Sequence, residues 1–195
     1  HKTEDMLGNA TLEWKHSWGI HAIEATAMPE YQKSKHSGFW TLVKGFTTNE
    51  LGYDNLAAAS TRPYGGTGSD YTESSLASAM GSVSYTLMNR YTVAGNMRAD
   101  GSSMFGNNNK WGIFPSISGT WDVAAEPFFK SLRKLVNIFK IRMGYGLSGN
   151  LGGIDPYNSI NLVQPTGIIS YNGSPTATMG QFRNANPDLK WETKS

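Results

Sequence analysis

Four histidines (His1, His16, His21 and His36), a glycine run at Gly144-Tyr145-Gly146-Leu147-Ser148-Gly149 and two well-separated acids, Asp100 and Asp155, are residues of this chain whose types could carry chemistry. None stands at the spacing that chemistry needs. The histidines lack zinc-ligand spacing, and His21 and Glu24, three apart on an extended segment, point to opposite faces, so no metal site is expected. The glycine run has the form G-x-G-x-x-G. A dinucleotide site also needs a helix opening after the last glycine and an acid about 20 residues on, whereas Asn150-Leu151-Gly152-Gly153-Ile154-Asp155-Pro156 is turn material. With no cysteine and no G-x-S-x-G elbow there is no nucleophile in a recognisable setting. An enzyme would need folding to bring acids such as Asp100 and Asp155 together. No catalytic residue, metal or cofactor is expected. Stacking is the other chemistry on offer: Trp40, Tyr64, Tyr71, Tyr157 and Tyr171 fall in loop-like segments, where their rings could face a sugar or an apolar ligand surface, or pack within the loops themselves.

The elements that would position these residues alternate with a period of two, which makes them strands with two unlike faces. Ala10, Leu12 and Trp14 alternate with Thr11, Glu13 and Lys15. After a tight turn at Ser17-Trp18-Gly19, Ile23, Ala25, Ala27, Pro29 and Tyr31 alternate with Glu24, Thr26, Met28 and Glu30. Residues 34–73 carry weak periodicity and turn chemistry, and predict a long loop. Ala77, Ala79, Gly81, Val83 and Tyr85 form the next apolar face. A short turn near Met88-Asn89-Arg90 returns the chain through Tyr91, Val93, Gly95 and Met97. A polar stretch leads to Ile113, Pro115, Ile117, Gly119, Trp121 and Val123. The period then changes to 3.6: Pro127 suits a first helical position, and Phe128, Phe129, Leu132, Leu135 and Val136 share a face, predicting one short amphipathic helix. Phe139, Ile141, Met143, Tyr145 and Leu147 give another strand, residues 148–187 a second long loop, and 189–193 the start of one more strand.

Composition agrees with an all-β chain. Of 195 residues, 22 are glycine and 12% aromatic, suiting turns and half-buried strands, while the 38% apolar content is low for a soluble globule. A net charge of +2 gives no pull toward nucleic acid. The basic cluster Lys130, Arg133, Lys134, Lys140 and Arg142, with no acid between Pro127 and Ile154, lacks interleaved stacking aromatics and reads as a solvated turn. No apolar run is long enough for a transmembrane helix, but strands that cross a bilayer need only about ten alternating residues.

Two regularities favour the membrane. In the five best strands the apolar face carries no Asp, Glu, Lys or Arg, while Glu24, Glu30, Arg98, Asp122, Lys140 and Arg142 all fall on the opposite face. A soluble sheet needs no such strictness, whereas an Arg or Lys facing lipid at mid-bilayer costs about 2–4 kcal/mol. Successive connections also differ in length, as they do in outer-membrane barrels. Tyr85, Tyr91, Trp121 and Phe139 flank the middle turns, where interfacial aromatics would sit.

The polar stretch between strands, Arg98-Ala99-Asp100-Gly101-Ser102-Ser103-Met104-Phe105-Gly106 with Lys110-Trp111-Gly112-Ile113-Phe114-Pro115-Ser116, resembles a signature of the SusC/RagA-like TonB-dependent outer-membrane transporters. The resemblance continues through Glu126-Pro127-Phe128, Lys140-Ile141-Arg142, Gly144-Tyr145-Gly146, Gly149-Asn150 and Asn186-Pro187-Asp188-Leu189-Lys190-Trp191-Glu192-Thr193, in the family's order. Asp122, where a basic residue is usual, and Leu151, where glutamine is common, depart from it. The resemblance implies that Asp100, Gly101, Ser102, Ser103, Phe105, Trp111, Phe114, Pro115, Asn186, Pro187, Leu189, Trp191 and Glu192 belong to a family signature, with the loop at the cell surface. It further implies an antiparallel meander of six to seven transmembrane strands within a barrel of about 22 strands with a plugged lumen, contacting outer-membrane lipid. Such a barrel imports glycans or peptides with a SusD-like surface lipoprotein and with TonB acting through a plug domain. Residues 1–195 are then expected to be one unclosed barrel segment with neither plug nor signal peptide. The rival expectation is a soluble β-sandwich that binds carbohydrate, with its apolar faces buried against each other.

Overall fold

The computed structural model describes every residue except Asn49, Leu51 and Tyr64. Its strands are β1 (Lys2–Asn9), β2 (Leu12–Trp18), β3 (His21–Thr41), β4 (Thr67–Leu87), β5 (Tyr91–Ser102), β6 (Trp111–Asp122), β7 (Lys140–Gly146), β8 (Ser148–Asn150), β9 (Leu162–Tyr171), β10 (Ser174–Arg183) and β11 (Glu192–Lys194). Seven of them make one sheet, in which β1 and β2 both pair with β3, followed by β4, β5, β6 and β7 in chain order. The β9–β10 and β8–β11 pairs stand as separate two-stranded sheets. Within the described residues the seven-stranded sheet does not close on itself.

Two compact units divide the chain, one of residues 1–6 and 33–74, the other of residues 7–32 and 75–195, with β1, β3 and β4 contributing to both. In the smaller unit, polar pairs join the strands. Thr3 bonds His36 at 3.1 Å, Thr41 bonds Thr67 at 2.9 Å, and Lys33 pairs with Glu73 at 2.5 Å.

In the larger unit the alternation expected from the sequence fixes the register, because a slip of one residue would exchange the two faces. Val93 lies opposite Tyr85 and Gly119, Met97 opposite Gly81 and Pro115, and Ile117 opposite Gly95 and Tyr145. The apolar residues therefore share one face, and they are uncovered there: Ile117 is 59% exposed and Met143 76%. A sandwich would bury such residues against a second sheet, so the soluble alternative is not favoured.

The opposite face is held by polar pairs. Arg98 donates to both oxygens of Asp100, at 2.8 and 2.9 Å, and to Ser78 at 3.2 Å; Asn96 donates to Ser116 at 3.3 Å. Asp122, the departure from the family pattern, pairs with Lys140 across β6 and β7 at 3.3 Å. Few side chains are left for a conventional core, as follows for a sheet with lipid on one side and a polar lumen on the other. The buried apolar cluster is Val123, Ala124 and Phe129.

Four features differ from expectation. Residues 34–41 and 67–73 continue β3 and β4 rather than forming loop. Strand β1 precedes the expected hairpin, and the break between β1 and β2 lies opposite Pro29, whose carbonyl accepts from Ala10 but whose nitrogen has no hydrogen to return. The expected loop 148–187 contains the β9–β10 hairpin, turning at Asn172 and Gly173 with φ of 50° and 78°. The expected amphipathic helix at 128–136 is absent. Three single 3₁₀ turns, Val123–Ala125, Pro127–Phe129 and Leu132–Lys134, take its place. No side chain caps any of them, and Glu126, which stands at the N-terminal position, is drawn away by other partners. An uncapped two-turn helix is too short to sustain itself.

Candidate functional site

Most of the residues expected to form the family signature meet at the end of β5 and β6 remote from the 19–20 and 88–90 turns. Ser102 N–H donates to the Lys110 carbonyl at 3.0 Å, and the Met104 N–H is taken by the Ser102 hydroxyl at 3.2 Å. Ser103 and Ser75 tie the loop back to β4: Ser103 N–H donates to the Ser75 carbonyl, and Ser75 N–H to the Ser103 hydroxyl, each at 2.9 Å. The loop closes over Phe105, which is 1% exposed.

What covers Phe105 comes from the far end of the sequence. The Trp191 ring lies 5.0 Å from Phe105 and meets Phe114 edge-on at 5.4 Å, while its indole N–H donates to the Lys110 carbonyl at 3.0 Å. Small residues make this approach possible. A Cβ on Gly106 would collide with the Pro187 carbonyl, and one on Gly112 would stand 2.9 Å from the Trp191 ring. Nearby, Asn150 donates to the Glu192 carboxylate at 3.1 Å beside the β8–β11 pairing, and Leu189 N–H bonds the Asn186 carbonyl at 3.3 Å. Gly146 and Gly149 thus serve close packing, since a Cβ on Gly149 would enter the Phe114 ring and one on Gly146 would collide with Ser116. Trp111 and Pro115 belong to the apolar face instead, with Trp111 62% exposed and its ring over Gly101. Asp100 is buried on the polar face and committed to Arg98.

Below this clasp an amphipathic hollow of about 510 Å³ opens on the polar face, with Phe114, Trp191, Leu147 and Leu151 as its apolar wall and Asn96, Arg98 and Asp100 as its polar one. The aromatic candidates stand elsewhere. Trp40 is on β3 with Gly68 against its ring, and Tyr71 on β4 donates to Glu73 at 2.7 Å. Tyr157 sits in a turn with φ of 68°, Tyr171 ends β9 exposed, and Tyr64 lies outside the described residues.

At the short-turn end two aromatic arrays line the apolar face. Tyr91 stacks on Trp121 at 6.4 Å, as the turn-flanking pattern leads one to expect. The other is a ladder of Trp14, His16, Trp18, His21 and Tyr85, with successive rings 5.4 to 6.0 Å apart and His21 hydrogen-bonded to the Tyr85 hydroxyl at 2.6 Å. Considered only as metal ligands, the histidines conceal this role. Their period-two placement among tryptophans was the available signal.

Glu126, in the turn after β6, is the meeting point of this end. Its carboxylate accepts from the Tyr91 hydroxyl at 2.5 Å, Trp121 Nε1 at 3.1 Å and Arg90 at 3.2 Å. The Tyr91 hydrogen bond foremost, then that of Trp121, holds its pKa below the ordinary carboxylate value. A lowered folded-state pKa gives a stabilisation that is complete above the unfolded carboxylate pKa and is lost as pH falls through the folded one. The full receptor is therefore expected to lose heat resistance of its folded gel band on acidification below that range. Glu126→Gln should flatten this part of the profile; an unchanged profile would remove Glu126 as its source.

A transmembrane sheet whose larger unit has one charge-free face, with tight turns at 19–20 and 88–90 and the longer 123–139 connection at one end, has the pattern of an outer-membrane β-barrel wall. The family model "TonB dependent receptor-like, beta-barrel" matches residues 3–194, and the chain belongs to that family. It is 32% identical over 197 residues to TonB-dependent receptor P3 of Formosa agariphila, a match covering 98% of this chain and 19% of that protein. It is 34% identical over 123 residues to TonB-dependent receptor SusC of Bacteroides thetaiotaomicron, covering 62% of this chain and 12% of SusC. Its fold is that of a segment of the RagAB peptide importer in the closed-closed state, with a TM-score of 0.77 at 24% identity over 97% of this chain and 20% of the other. The chain spans about a fifth of the length of TonB-dependent receptor P3 and of the RagAB chain, which it matches over nearly its whole length. Receptors of this family are multi-pass outer-membrane barrels, and their short turns face the periplasm.

Proposed function

We propose that this chain forms part of the wall of a TonB-dependent importer that takes up a glycan or peptide, with a SusD-like lipoprotein at its outer mouth and TonB acting through a plug. The observation that carries this reading is the division of the larger unit's sheet into an uncovered charge-free face and a face of hydrogen-bonded polar pairs, which suits a wall between lipid and an aqueous lumen. The Phe105–Phe114–Trp191 clasp fixes the 103–110 loop above that lumen, and the aromatics Trp40 on β3, Tyr71 on β4, Tyr157 and Tyr171, with Tyr64 outside the described residues, are the candidates for contact with the nutrient. The glycan or peptide assignment draws on the kinship with SusC and on the RagAB fold.

The test is deletion of the complete receptor in its own host, followed by growth on single oligosaccharides and on defined peptides as sole nutrient. Loss of growth on one such class, restored by the intact receptor and not by a receptor unable to engage TonB, is the expected result. Unimpaired growth on every member of both classes would refute the assignment. Alanine at Trp40 or Tyr171 should then slow uptake of the identified nutrient without lowering the amount of receptor in the membrane.

A further inference from the structure

The connection between β6 and β7 lies on the outward side of the sheet. Its Glu126 is held by Tyr91 and Trp121, both residues of the charge-free face, and its Phe129 packs on Phe139 with ring centroids 5.7 Å apart. The segment is therefore tied to the lipid side of the wall, at the short-turn end. It carries large apolar side chains there that nothing in the larger unit covers: Phe128 and Leu132 are exposed, Leu135 to 84% and Ile138 to 76%. Lys130, Arg133 and Lys134 stand among them, with no acid between Pro127 and Ile154.

Each half of this arrangement points to a membrane surface. Bulky apolar side chains in water are unfavourable and become favourable at the acyl boundary, and interleaved cations attract anionic headgroups at the same depth. The patch is continuous with the lipid-facing surface of β7, where Ile141 and Met143 are uncovered. Arg133 donates through Nε to the Ala124 carbonyl at 2.6 Å, which anchors this side chain to the turn.

We propose that residues 127–138 are an interfacial anchor, seating Phe128, Leu132, Leu135 and Ile138 in the periplasmic leaflet while Lys130, Arg133 and Lys134 hold the headgroups of anionic phospholipids. This goes beyond nutrient import and depends only on the barrel crossing the outer membrane.

The experiment uses the full receptor as L135C, labelled there with an environment-sensitive fluorophore and reconstituted in phosphatidylethanolamine nanodiscs with a rising fraction of phosphatidylglycerol. The expected emission is blue-shifted and is quenched by nitroxide-labelled lipid. K130Q/K134Q, which spares Arg133 and its bond to the turn, should raise the phosphatidylglycerol fraction at half-maximal shift by at least about fivefold, since each of the two cations removed is worth about that factor near an anionic surface. Water-like emission in every lipid composition would overturn the anchor. Quenching that responds neither to phosphatidylglycerol nor to loss of the lysines would overturn the headgroup role. A shift that requires a second receptor copy or a periplasmic protein would replace the lipid by a protein partner.

Discussion

Replacing Phe105 by alanine is expected to free the 103–110 loop while the transmembrane strands keep their pairing. Phe105 is the most deeply buried large side chain described, and its contacts are concentrated in one place, against Trp191 and next to Phe114. Removing a buried phenylalanine costs about 3–5 kcal/mol, from lost burial and from the cavity left behind. Here the cost falls on the closed loop, because the ladders between β4, β5 and β6 do not depend on the ring. Amide exchange across 103–110 in the full receptor should accelerate by more than about a hundredfold, with exchange in the central strands unchanged. Trp191→Phe should give a smaller effect, since it retains an aromatic ring but loses the hydrogen bond to the Lys110 carbonyl. Exchange indifferent to Phe105→Ala would mean that the loop is held by its backbone bonds alone.

A charge placed on the uncovered face should act on the whole barrel. Ile117 is 59% exposed, lies opposite Gly95 and Tyr145, and stands four residues along β6 from the Trp121 girdle position. Arginine there meets the hydrocarbon region and is expected to lower folding stability by about 2–4 kcal/mol in lipid vesicles. Ser118→Arg, its neighbour on the polar face, should cost far less, because that side chain enters the aqueous lumen. The comparison needs only denaturant titrations of the three refolded proteins. Equal losses at both positions would contradict the assignment of the faces.

The strands that separate lipid from lumen were legible in the sequence because alternation is the direct imprint of two unlike surroundings, as Tyr91 to Arg98 and Ile113 to Asp122 illustrate. The same logic explains what was not legible. Residues 34–41 and 67–73 extend β3 and β4 where apolar side chains do not keep to one face, since Phe39 and Trp40 stand next to each other in sequence and Lys33 and Glu73 pair across the strands, so no contrast between faces remains to be read. The β9–β10 hairpin has equally weak alternation, and its one clear mark was Asn172-Gly173, a dipeptide suited to the two positive φ values of a tight hairpin turn. The helix expected at 128–136 followed from a 3.6-residue apolar spacing that the structure uses for separate turns on the outward face. For the candidate site, the signature residues could be named but not assembled. Nothing local to Phe105 or Phe114 announces that their partner is Trp191, and only the fold brings it there.

That long reach between Trp191 and the Lys110 carbonyl, 81 residues apart, also sets a timetable. Hairpins such as β4–β5 can zip from a turn of a few residues, whereas the clasp must wait until the chain has passed through β7 and returned through β9 and β10. Contacts that close large loops form late, because the entropy of closure is lost before the contact repays it. Phe105, Phe114 and Trp191 therefore come together only after the neighbouring ladders have formed, and the 103–110 loop is the part of the sheet whose closure is decided last.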